Sequence, residues 1–220
     1  MGSDDLHHKR KAKKAEDLTR RKAKRSPYEK ILIVCEGEKT EPNYFDGLIQ
    51  FYELNTANVE VDGSCDSSPK SVFERALELW SVQEKIDPFD RVYCVFDKDS
   101  HATYNETLAR IARQKPNKTF FAAKSIPCFE YWILLHFEFT TRPYAATGSR
   151  SIADEVIVDL KKYIPDYSKG RLGTFSELEP QLDFALANAR RALEQATTNH
   201  TDNPSTTIHD LVEHLRDLKG

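Results

Sequence analysis

The chain alternates between continuous apolar runs and amphipathic stretches, and that alternation predicts its elements. Ile31-Leu32-Ile33-Val34-Cys35 and Val92-Tyr93-Cys94-Val95-Phe96 are apolar at every position, as strands covered on both faces of a parallel sheet must be. Thr119-Phe120-Phe121-Ala122-Ala123 predicts a third strand and Val59-Glu60-Val61 a short one. Helical periodicity falls between them. It runs from Glu41 to Tyr52 with Pro42 in the first turn, from Pro69 to near Lys85 with Val72, Phe73, Ala76, Leu77 and Trp80 on one stripe, and over residues 102–114. Strands alternating with helices imply parallel pairing through right-handed crossovers, hence an open α/β sheet with helices on both faces. Pro127 to Phe139 is apolar on nearly every side and predicts a buried helix, interrupted by Glu130 and His136. Residues 141–149 read as a linker, and 151–164, 176–196 and 207–218 as three helices. The division that follows is a basic arm (1–25), an α/β domain (26–140) and a helical C-terminal subdomain (141–220). Asn203-Pro204-Ser205-Thr206 reads as a cap for the last helix.

Charge changes this picture more than composition does. The net charge is −3, yet residues 9–25 hold ten Lys/Arg against Glu16 and Asp17, and the chain from residue 26 onward carries −9. A basic arm on an acidic body fits contact with nucleic-acid phosphates, whose neutralisation releases counterions; Lys13, Lys14, Arg20 and Arg21 are its candidate contacts. A solvated tail is the alternative. No apolar run reaches membrane-spanning length, and the basic N-terminus lacks the apolar segment of a secretory signal, so neither a membrane nor export is expected. Cys35, Cys65, Cys94 and Cys128 form no C-x-x-C pair. They fit free thiols in a reducing cytoplasm better than disulfides or zinc.

The candidate chemistry is acidic. Glu36 directly follows the first strand, and Asp97 and Asp99 follow another. Ligands of open α/β sheets lie beyond the carboxyl ends of the strands, and residues two apart in extended chain point the same way. Three carboxylates are therefore expected to converge. With unperturbed pKa values near about 4 they are all charged at neutral pH, and they repel unless a cation lies between them. Oxygen-only donors select a hard ion, Mg²⁺ or Mn²⁺, which polarises a phosphoryl oxygen. The plainer alternative is that each carboxylate caps the helix after its strand. Glu130 reads as a further functional acid, and His136 as a core histidine with its polar atoms satisfied. Lys124, ending the third strand, is placed to meet a phosphate or to pair with the acids. Lys169-Gly170-Arg171, near Tyr163 and Tyr167, reads either as a phosphate contact with a stacked base or as a surface loop.

Other readings fail on residues. Gly37-Glu38-Lys39-Thr40 is no nucleotide phosphate loop, because Leu32 stands where that loop needs glycine. ATP hydrolysis is therefore assigned to a partner. Asp97-Lys98-Asp99-Ser100-His101 has His101 where a D-x-D-x-T phosphatase motif has threonine, and no Gly-x-Ser-x-Gly elbow is present.

An acid and glycine after the first strand, then Val-Phe-Asp-Lys-Asp at 95–99, resembles the Toprim pattern. The strings Cys-Glu-Gly-Glu-Lys-Thr-Glu-Pro-Asn-Tyr-Phe (35–45), Ser-Ile-Pro-Cys-Phe-Glu-Tyr-Trp-Ile-Leu-Leu-His-Phe (125–137) and Asn-Pro-Ser-Thr (203–206) resemble the RloB-like family over about residues 26–218. The resemblance implies a Toprim-like fold with Glu36 as general acid/base and Asp97 and Asp99 as metal ligands. Glu41 resembles the second acid of OLD-type Toprim nucleases at a spacing one residue longer, which leaves Glu38 as a competing choice. A partner ATPase of the ABC/AAA class, in restriction or phage-defence loci, is implied as well. The expectation is a Mg²⁺- or Mn²⁺-dependent nuclease of DNA or RNA, tRNA included, serving as a defence effector. The alternative is a non-catalytic nucleic-acid-binding adaptor docked on that ATPase. The C-terminal helices read as a homodimer surface, a partner-docking platform or a substrate clamp.

Overall fold

The computed structural model describes residues 29–56, 58–66, 68–98 and 102–218. Asp99 and the arm residues Lys13, Lys14, Arg20 and Arg21 lie outside the described residues. Five strands form one sheet: β1 (Ile31–Glu36), β2 (Val59–Cys65), β3 (Arg91–Asp97), β4 (Phe120–Ile126) and β5 (Ser205–Thr206). Their order is β2-β1-β3-β4-β5. The first four pair in parallel, and only β5 runs antiparallel, on β4. The sheet is thus open and mostly parallel, as the alternating pattern predicts.

Its two faces are covered by different helices. Ile31, Ile33, Cys35, Tyr93 and Val95 face one cluster, packed under α1 (Thr40–Phe51) and α4 (Phe129–Leu134). Leu32, Val34, Val92, Cys94 and Phe96 face the other, under α2 (Pro69–Gln83) and α3 (Tyr104–Arg113). Burial on both faces is why β1 and β3 read as unbroken apolar runs. The remaining helices are α5 (Ile152–Leu160), α6 (Thr174–Leu178), α7 (Leu182–Thr198) and α8 (Ile208–Asp217). Val156, Phe175, Ala185, Ala189 and Leu211 from these helices enter the first cluster. The C-terminal helices therefore share a core with the helices over the sheet, and β5 extends the sheet itself.

Several elements differ from the expected bounds. The buried helix expected from Pro127 to Phe139 is helical only over Phe129–Leu134. His136 Nδ1 lies 3.1 and 3.2 Å from the carbonyls of Trp132 and Ile133, and Asn188 Nδ2 donates to the Leu135 carbonyl at 2.9 Å. These contacts satisfy the orphan carbonyls of the last turn, so the helix can end inside the core. The helix expected over 176–196 is divided into α6, a short 3₁₀ turn at Glu179–Gln181 and α7; Pro180 cannot donate within a continuous helix. Ser205-Thr206 is more than a cap. It pairs with β4, while Thr206 Oγ1 also accepts from the Ile208 N–H at 3.1 Å.

Candidate functional site

The strand order reverses between β1 and β3, since the chain leaves β1 for β2 on one side and β3 lies on the other. Ligand crevices of open α/β sheets form at such a switch point. Glu36 ends β1 there and Asp97 ends β3, and the Asp97 N–H donates to Glu36 Oε2 at 3.0 Å. Gly37, at φ +82°, turns the chain from β1 towards α1, a conformation that side chains other than glycine resist. Glu41 then sits buried in the first turn of α1, and Glu130, 1 % exposed, in the first turn of α4. Glu36, Glu41, Asp97 and Glu130 line a single cleft of about 740 Å³, together with Glu38, Lys39, Lys98 and Lys169.

Packing carboxylates this closely perturbs them. Desolvation, reinforced by Glu130 and Glu36, pushes Glu41 up to about 8. Desolvation also raises Asp97 well above the usual carboxylate range, and Glu41, Glu130 and Glu36 add repulsion; the Phe129 N–H, hydrogen-bonded to it, pulls the other way. Glu41 therefore favours its protonated form at neutral pH, and the same forces disfavour ionisation of Asp97, unless a cation enters. Burial works against the Lys169 charge, but Glu130, Cys128, Asp97 and Glu41 outweigh it and raise that ammonium's pKa.

Of the acids proposed from the sequence, Glu36, Glu41, Asp97 and Glu130 meet in this cleft. Glu41 is the buried member of the pair Glu38/Glu41, and Glu38 is exposed at the same cleft. Lys124 does not line the cleft. It pairs in register with Phe96 and shares its side of β4 with Phe120 and Ala122, which pack into the second cluster. Lys169 does line the cleft, whereas Arg171 is turned to Glu177 at 2.7 Å and Asp166 at 3.8 Å. His136 is 1 % exposed, and its Nδ1 meets carbonyls of α4, the helix just before it, rather than Glu130. Its Nε2 has no hydrogen-bond partner among the described residues, so only one of its two nitrogens is satisfied as expected.

Two contributors escaped the sequence. Tyr167, read there only as a base-stacking candidate, is buried and donates its hydroxyl to Glu130 Oε1 at 3.2 Å. Asp202 pairs with Lys98, the residue between Asp97 and Asp99. Both links span long stretches of chain, so no local pattern announces them.

The donor set fits a hard divalent cation in chemistry: it is all carboxylate, and desolvation together with the acidic neighbours raises Glu41 and Asp97. As placed, no group of three or more His, Cys, Asp or Glu among the described residues stands ready to hold a metal ion. Asp99, the remaining candidate ligand, lies outside them. Among the described residues no helix is long and apolar enough to cross a membrane.

Fold and cleft together define an open, mostly parallel α/β protein with an acidic crevice at its switch point. A family model described as RloB-like protein matches residues 31–215, and the chain belongs to that family. Searches among curated proteins and among solved structures found no match.

Proposed function

We propose that this chain is a divalent-metal-dependent nuclease of the Toprim type, acting on DNA or RNA, tRNA included, as a phage-defence effector with an ABC/AAA-class ATPase as partner. The observation that supports it most is the gathering of Glu36, Glu41, Asp97 and Glu130 in one cleft at the switch point, with Glu41 and Asp97 raised above the usual carboxylate range by desolvation and repulsion. Strong perturbation in a cleft is what functional carboxylates share. Asp97, Glu41 and Asp99 would hold the Mg²⁺ or Mn²⁺, with Glu130 beside them. Such an ion, when bound, supplies positive charge for a phosphoryl oxygen and lowers the pKa of water. Glu36, its orientation fixed by the Asp97 N–H, is the group that takes up or returns a proton. Lys39, Lys98 and Lys169 come from three separate segments to the same cleft. That spread suits a substrate with several phosphates in a chain better than a monoester.

The test is cleavage of DNA and RNA by the purified protein, with its ATPase partner where needed, with and without Mn²⁺. Activity is expected only with the metal. Asp97→Asn and Glu36→Gln should each reduce it by about 100-fold or more while the proteins stay folded. Full cleavage by both variants would sink the assignment and favour the adaptor reading.

A further inference from the structure

We propose that Lys169 is a resident counter-cation: it pairs with Glu130 while the cleft holds no divalent ion, and turns to the substrate phosphate once one is bound. This rests on the metal-dependent reading above and adds a regulatory step to it. Glu130 is almost wholly enclosed, its side chain 2 % exposed, and Lys169 Nζ lies 3.7 Å from its Oε1. The same oxygen accepts the Tyr167 hydroxyl at 3.2 Å. One short segment thus brings a neutral donor and a cation to one buried acid. If the lysine leaves, Tyr167 still donates to Glu130, and the incoming divalent ion compensates the charge that would otherwise be left unpaired.

The backbone beneath Lys169 is fixed while its side chain is not. The Gly170 N–H donates to Thr40 Oγ1 at 3.1 Å, and Asn43 Nδ2 donates to the Gly170 carbonyl at 2.8 Å. Gly170 has φ +74°, and a Cβ there would stand 2.7 Å from Lys39 Cβ. The loop is therefore tied to the first turn of α1, which also carries Glu41. The Lys169 side chain is nonetheless 55 % exposed, so it keeps room to swing. A divalent ion among these acids would repel the ammonium and free it to meet a substrate phosphate at the same cleft. Asp154, which also feels the Lys169 charge, is already bonded to the Ser151 N–H and hydroxyl. Arg171 cannot take this part, being engaged by Glu177.

The experiment is Mn²⁺ titration calorimetry on wild type, Lys169→Gln, Lys169→Arg and Lys39→Gln. Lys39→Gln removes the same charge from the same cleft and measures the general electrostatic effect. Lys169→Gln is expected to bind Mn²⁺ roughly three- to tenfold tighter, Lys169→Arg like wild type, and Lys39→Gln within about twofold of it. In the Glu36→Gln background, which blocks cleavage, Lys169→Gln with Mn²⁺ should bind a labelled single-stranded oligonucleotide more weakly. Wild type that binds no Mn²⁺ overturns the metal reading and this inference together. Wild type that binds Mn²⁺ overturns the inference alone if Lys169→Gln does not tighten it, if Lys39→Gln tightens it equally, or if oligonucleotide binding is unchanged.

Discussion

Two groups of buried acids in this molecule have opposite electrostatics. Asp159, in α5, is buried and fully matched: Lys162 Nζ reaches Oδ1 at 2.6 Å, Tyr144 donates to Oδ2 at 2.9 Å, and Arg142 pairs with the same oxygen. Burial alone would raise its pKa, but those hydrogen bonds and the Arg142 charge lower it. In the cleft, Asp97 and Glu41 have no Lys or Arg within ion-pair distance among the described residues, and both are raised. The first arrangement is what a chain builds when a carboxylate serves the fold. The second keeps Asp97 and Glu41 in a state that costs stability, and under the proposed function a bound cation would offset that cost.

Exchanging each acid for its amide tests that contrast most strongly. Asp159→Asn should destabilise the protein by about 1–3 kcal/mol, because the buried Tyr144 hydroxyl and two cations lose their charged acceptor. Asp97→Asn should do the reverse in metal-free protein, raising Tm by about 2–4 °C, because at pH 7.5 the acid must take up a proton or bury a charge on folding and the amide does neither. Thermal melts in a chelator at pH 7.5 decide it. If both substitutions destabilise alike, the two groups are not different in kind.

The pH dependence sharpens the comparison with a smaller effect. Glu41 moves from 4.5 to about 8 on folding, so between those values the folded state keeps a proton that the unfolded chain gives up. The stability it contributes is full below about 4.5 and is lost as pH rises through about 8. Asp159, lowered on folding, contributes above its ordinary value and loses its contribution in acid. Between pH 6 and 8, metal-free wild type should therefore lose Tm relative to Glu41→Gln, and Mn²⁺ should abolish the difference because it favours the ionised carboxylate. Parallel Tm curves for the two proteins across that range would show that Glu41 is not perturbed as described.

Much of the cleft was legible because it sits at strand ends. Glu36 and Asp97 follow apolar runs that only doubly covered strands need, and the order of elements places such ends at a crevice. The order β2-β1-β3, which brings those two ends side by side, was not written in any local pattern; it comes from tertiary packing. Glu130 was conspicuous as an acid in an apolar stretch, yet its partners Tyr167 and Lys169 lie 37 and 39 residues further on, beyond any periodicity. Lys124 was misleading for a simple reason. The strand it occupies runs on to Ile126, so it sits within β4 rather than beyond it, and strand alternation turns it to the face away from the cleft. The helix expected to reach Phe139 was overextended because apolar content reports burial, whereas side-chain caps from His136 and Asn188 decide where a buried helix stops.

The smallest effect concerns how each group obtains its positive charge. Asp159 draws Lys162 from the turn that directly follows its helix, so local structure keeps the pair together. Glu130 depends on a loop held from α1, through Gly170 against Lys39, Thr40 and Asn43. Gly170→Ala would force a left-handed conformation on a residue with a side chain and push its Cβ into Lys39, costing about 1–2 kcal/mol. Because the strain falls on the loop rather than on the acids, the substitution should raise Mn²⁺ affinity in the direction of Lys169→Gln, by less, while leaving the pH dependence from Glu41 in place. Calorimetry paired with melts at pH 6 and 8 separates the two readouts. A Gly170→Ala protein that is destabilised but binds Mn²⁺ as wild type does would mean that the loop holds the fold together without setting the position of its lysine.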